Sequence, residues 1–253
     1  MADRIRVLVI DDSALFCSLL TRGLAADPGL EVVGTATDPY DASKRIIELR
    51  PQVLTLDIEM PRMNGVEFLR KLMPQYPLPA IIVSALTEHS KLVALDALAA
   101  GAVDVVEKPG ADSDRDLEEM LQELRTKIRI AATVDVSHWK HAQVRPRRIS
   151  SARPVLARQG RQCTTKLIAI GASTGGTEAI PEVLSSFHNA TPGTIIVQHM
   201  PVGFTRLFAA RLNRLCAIEV KEAEHGDVIL PGRALVAPGA LQLRVAQRRN
   251  EYP

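Results

Sequence analysis

Between residues 5 and 133, short β-rich runs alternate with longer segments of helical period, and this alternation restricts the fold more than any other feature. Runs at 5–10, 31–36, 53–58, 80–85 and 103–106 read as strands. Segments 14–26 and 65–76 carry apolar residues at helical spacing, and 116–130 reads as a closing helix with a charged outer face. Val7-Leu8-Val9-Ile10 and Ala80-Ile81-Ile82-Val83 are unbroken apolar runs, as strands covered by helices on both faces require. Five βα units predict an α/β, flavodoxin-like, five-stranded parallel sheet. Right-handed crossovers then bring every βα loop to one edge.

A length of 253 residues predicts about two domains, and 46% hydrophobic with 24% charged residues fits chains that bury a core in water. A net charge of +2 gives no reason to expect nucleic acid. Cys17, Cys163 and Cys216 are odd in number and lack CxxC spacing, which excludes a disulfide framework or zinc site as the reading. The N-terminus shows no secretory h-region, and no apolar stretch reaches membrane-spanning length, so a cytoplasmic protein without membrane insertion is expected. Domain boundaries are expected at 1–133 and 166–253, joined by a basic flexible linker over 134–165. Its stretch 140–166 holds Arg145, Arg147, Arg148, Arg153, Arg158 and Arg161 and no acidic residue. The alternative, a nucleic-acid-binding arm, lacks aromatic interleaving. In the second domain 167–170 and 194–198 read as strands, 177–187 and 204–216 as helices, and 235–237 and 241–245 as strand-like around Ala237-Pro238-Gly239.

Ligands of open parallel sheets sit at strand carboxyl ends. Those ends carry Asp11 and Asp12, Asp57, Ser84 and Lys108 in the first domain. Three converging carboxylates repel one another, and a hard divalent cation such as Mg2+ resolves the repulsion. Asp57 then serves as an oxygen nucleophile toward phosphorus, with Lys108 as a second cation and the Ser84 hydroxyl as a donor to the phosphoryl group. A lone Asp at a strand end is ordinarily a solvated cap; five matched residues at the strand ends are not explained that way.

In the second domain Gly171-Ala172-Ser173-Thr174-Gly175 satisfies G-x-S-x-G between a strand and a helix. His199 ends the next strand, so a parallel pairing brings an imidazole base to the edge that carries the Ser173 hydroxyl. Thr174, at the start of the following helix, is the candidate oxyanion or substrate contact. A nucleotide site predicts G-x-G-x-x-G and an acidic residue ending the second strand, where this chain has Gln198-His199.

Val-Ile-Asp-Asp-Ser at 9–13, Leu-Asp-Ile-Glu-Met-Pro-Arg-Met-Asn-Gly at 56–65, Ser84 and Lys108-Pro109 resemble a bacterial response-regulator receiver. The segments 171–180, 198–205, 220–224 and 237–239 resemble the methylesterase domain of bacterial chemotaxis. Together they resemble the receiver-linked protein-glutamate methylesterases, which makes the second domain a parallel α/β hydrolase type. The resemblance implies phosphorylation of Asp57 by a chemotaxis histidine kinase, Mg2+ held by Asp11, Asp12 and Asp57, and Ser84 as switch residue. It also implies a Ser173–His199 hydrolase, needing no cofactor, that acts on methylated chemoreceptor cytoplasmic domains and in some members deamidates glutamines. Val105 stands where many receivers carry an aromatic residue, and Gln242 where a histidine is common. The family's catalytic Asp lies in a Gly-Met-Gly-x-Asp-Gly-type loop that this sequence lacks, and Asp227 has the wrong local sequence for the role. The second domain is therefore expected to be incomplete at its C-terminal side. A non-catalytic phospho-signalling module is the alternative function.

Overall fold

The computed structural model describes residues 4–85, 87–110, 116–141 and 166–246, without the side chains of Glu88, His89 and His141. Most of the expected linker (142–165) and the last stretch of the second domain (247–253) lie outside the described residues. The chain forms two compact units, each built on its own sheet.

In the first unit β1 (Ile5–Ile10), β2 (Leu30–Ala36), β3 (Val53–Leu56), β4 (Ala80–Ser84) and β5 (Asp104–Glu107) alternate with α1 (Ala14–Ala25), α2 (Pro39–Leu49), α3 (Gly65–Leu72), α4 (Glu88–Ala99) and α5 (Leu117–Ala131). All strands pair in parallel, in the order β2-β1-β3-β4-β5. That is the doubly wound order in which the carboxyl ends of β1 and β3 flank the switch point. The five helices start on Ser13, Asp38, Asn64, Thr87 and Asp116, each accepting a first-turn N–H on its side chain. Val7, Leu8, Val9, Leu54, Leu56, Ile81 and Ile82 are fully buried, as unbroken apolar strands between helical layers must be. Residues 137–141, expected within the linker, instead form a short 3-10 helix.

The second unit is built on β6 (Leu167–Ala172), β7 (Gly193–Gln198), β8 (Glu219–Glu222) and β9 (Arg233–Val236); along the chain α6 (Gly176–Leu184) follows β6 and α7 (Phe204–Leu215) follows β7. The order is β6-β7-β9-β8, again wholly parallel. Phe204, Phe208 and Leu212 of α7 are buried. The strand expected at 241–245 does not form. Ala240 takes a left-handed conformation (φ 59°) just after Pro238-Gly239, and Leu241 and Val245 stand exposed. Among the described residues no helix is long and apolar enough to cross a membrane.

One glycine holds the first unit's site in place. A Cβ on Gly65 would lie 2.4 Å from the Asp57 carbonyl oxygen and 3.2 Å from Ile58 Cα, and backbone cannot rotate aside as a side chain can. Gly65→Ala should therefore cost about 1–3 kcal/mol of stability, as overpacking typically does, and slow phosphate uptake at Asp57. Thermal melts and acid-labile phosphate check the two outcomes.

Candidate functional site

Asp11 and Asp57 follow β1 and β3 directly, and the Asp57 N–H donates to Ile10 O at 2.9 Å, so the two strand ends are tied together. Asp11 and Asp57 are buried and Asp12 is exposed, with one carboxylate oxygen of each lying within 4.8 Å of the others. Lys108 Nζ bridges Asp11 Oδ2 and Asp57 Oδ2, at 2.6 Å from each. Ser84, buried at the end of β4, accepts the Lys108 N–H on its carbonyl at 3.0 Å. The five residues singled out in the first domain thus meet at one edge. An oxygen-only donor set of three carboxylates suits a hard divalent cation. Sequence reasoning missed Phe16, whose ring centroid lies 4.5 Å from Lys108 Nζ; aromatic faces attract ammonium groups. No motif signals that contact, because it depends on how α1 packs.

The electrostatics follow from burial. Burial pushes the Asp11 carboxyl above its ordinary 3.8, and the Lys108 bond and charge only partly offset it. For Lys108, burial works downward, but the Asp57 charge and the bonds to both carboxylates outweigh it and leave the ammonium raised above 10.5.

In the second unit Ala172 and Gln198 form the last rung of the β6–β7 pairing, and His199 N–H continues the ladder to Ala172 O at 3.0 Å. Ser173 and His199 are thus each the first residue past a strand. Ser173 Oγ lies 3.5 Å from His199 Nδ1, and both side chains are exposed. Gly175 takes the left-handed step of the turn (φ 80°), which explains a glycine there; Ser173 itself is not at positive φ. Thr174 follows in the same turn, half-buried. Among the described residues no carboxylate bonds the His199 ring. Glu222 accepts from Thr205 Oγ1 at 2.6 Å, and Asp227 accepts from Glu224 N–H at 2.7 Å and Lys221 Nζ at 3.1 Å. The Glu224 N–H chiefly holds the Asp227 carboxyl below its ordinary value, so that group is occupied in its own turn.

Residues 7–122 match the family described as response regulator receiver domain, and 168–253 that described as CheB methylesterase. A "Protein-glutamate methylesterase/protein-glutamine glutaminase" of Syntrophotalea carbinolica is 56% identical over 253 residues, all of this chain and 71% of the relative. The chain belongs to this family. A second relative, from Syntrophomonas wolfei, is 48% identical over 249 residues, covering 98% of this chain and 69% of its own length. The response regulator domain of Thermotoga maritima CheB is 42% identical, with 52% of this chain and 98% of that one covered at a TM-score of 0.48.

The raised Asp11 pKa carries a stability consequence. With Asp11 raised, the folded chain binds more protons than the unfolded one between the ordinary and the raised value, so stability falls as pH rises through that window. The cost is present above the raised value. Asp11→Asn should accordingly raise the urea midpoint of the metal-free protein at pH 7, and the gain should vanish below about pH 3, where the unfolded carboxyl is also protonated.

Proposed function

We propose that this protein is a phosphorylation-activated methylesterase that removes methyl groups from glutamate methyl esters on chemoreceptor cytoplasmic domains, and by the same acyl chemistry deamidates glutamines. The observation that carries the reading is the pairing of Ser173 Oγ with His199 Nδ1 at 3.5 Å on the carboxyl edge of a parallel sheet, in a chain of this family. Ser173 Oγ attacks the ester carbonyl while His199 takes its proton and returns it to the departing methanol. Water, deprotonated by the same imidazole, then attacks the acyl carbon; the bond to Ser173 Oγ breaks, the imidazole returns the proton to that oxygen, and the glutamate side chain leaves as its carboxylate. An amide substrate follows the same course with ammonia leaving. Backbone N–H groups after Ser173, beginning with Thr174, are the candidates for holding the oxyanion.

Control is assigned to the first domain. The Asp57 carboxylate is the nucleophile for a phosphoryl group delivered by a chemotaxis histidine kinase, both partners lying in the cytoplasm. Asp11, Asp12 and Asp57 are the residues to hold Mg2+, which when bound supplies charge neutralisation for incoming phosphoryl oxygens. Lys108 contributes the protein's own cation to that group, and Ser84 a hydroxyl that bonds it. Domain limits of 1–133 and 166–253 follow from this division of labour.

In the full-length protein, Ser173→Ala should bring methanol release from a methylated receptor fragment to background while leaving acid-labile labelling by a small phosphodonor intact. Asp57→Asn should do the reverse to the label. Methanol release that survives Ser173→Ala, or label that survives Asp57→Asn, contradicts the assignment.

A further inference from the structure

Strand β7 carries a polar residue on its buried face. Thr194, Ile196 and Gln198 alternate onto that face and are all buried, while Ile195 and Val197 lie on the other, with Val197 exposed. A primary amide in such a position is costly unless its hydrogen bonds are made. Gln198 Nε2 donates twice, to Ser173 O at 2.8 Å and to His199 O at 3.2 Å. Both partners are carbonyl oxygens, which only accept, so the nitrogen must be the end that faces them. The other end, Oε1, is buried without a hydrogen-bond partner among the described residues. A leucine would fill the face and leave no orphan acceptor; the amide is explained by what its nitrogen holds.

That nitrogen holds the two reacting residues. The β6–β7 ladder ends with the His199 N–H bond to Ala172 O, and past that point the Gln198 side chain joins the next two carbonyls, one from each strand. Resting on the Ser173–His199 reading above, we propose that Gln198 is a positioning residue for that pair. Its donation fixes the spacing between nucleophile and base. It also turns the Ser173 carbonyl toward the amide, and because the peptide is planar and trans, the N–H of Thr174 then points the opposite way. One side chain thereby sets both the attacking geometry and the orientation of the first candidate oxyanion donor.

The test uses the full-length protein and two probes: a methylated receptor fragment, and a small fluorophosphonate that labels an activated serine with loss of fluoride. Gln198→Met keeps length and apolar volume, and Gln198→Leu fills the buried face with a branched side chain; neither donates a hydrogen bond. Both should lower kcat and the labelling rate of Ser173 about 10–100-fold, the scale of a small misplacement of reacting groups, with KM held within about twofold because the substrate surface is untouched. Should Gln198→Met melt below the assay temperature, Gln198→Leu decides alone. Wild-type labelling and kcat in a folded variant, with Ser173→Ala silent, overturns the positioning role only. Labelling that persists in Ser173→Ala overturns the serine site itself, and the role of Gln198 with it.

Discussion

Every strand pair in both sheets is parallel, and a parallel neighbour can be reached only by a crossover that returns the chain to the same end. Consecutive crossovers therefore deliver side chains from distant sequence to one edge. Asp11, Asp57, Ser84 and Lys108 come from four strand ends of the first sheet; Ser173 and His199 come from two of the second. One geometric rule supplies both sites, and what distinguishes them is the chemistry placed at the edge.

In the first unit that chemistry is concentrated charge. Lys108 holds two buried carboxylates at 2.6 Å each, and the raised Asp11 carboxyl shows that the ammonium does not fully offset burial. Lys127 provides a contrast on α5. It is buried, and its ammonium meets Asp104 Oδ1 at 2.8 Å, Val105 O at 2.6 Å and Glu123 Oε1 at 2.8 Å, three acceptors for three protons. That cluster is satisfied and braces α5 against β5. The edge cluster keeps a surplus of carboxylate, which is the condition for taking up a cation and a phosphoryl group.

The first sheet was legible because residues 7–10 and 80–83 are unbroken apolar runs and the candidate site residues sit at strand ends, where a topological rule says to look. Ser173 and His199 were legible for the same reason. Strand β8 was not assigned, since Glu-Val-Lys-Glu at 219–222 offers one buried apolar residue and no alternation to read. The insertion of β9 between β7 and β8 is likewise a matter of packing. Apolar content at 241–245 suggests a strand, but the backbone enters the segment through a left-handed turn at Ala240 and leaves Leu241 and Val245 exposed. Gln198 carried a usable signal: an amide at the buried parity of a largely apolar strand, one position before the base. The hydrogen bonds that explain it belong to the fold and could not be read in advance.

In the function proposed above, phosphate at Asp57 governs chemistry at Ser173. The most direct measurement is the rate of methanol release from a methylated receptor fragment by the full-length protein, with and without a small phosphodonor and Mg2+. A higher rate is expected with the donor, and no such rise in Asp57→Asn. Equal rates in the two conditions, at confirmed phosphorylation of Asp57, would contradict it.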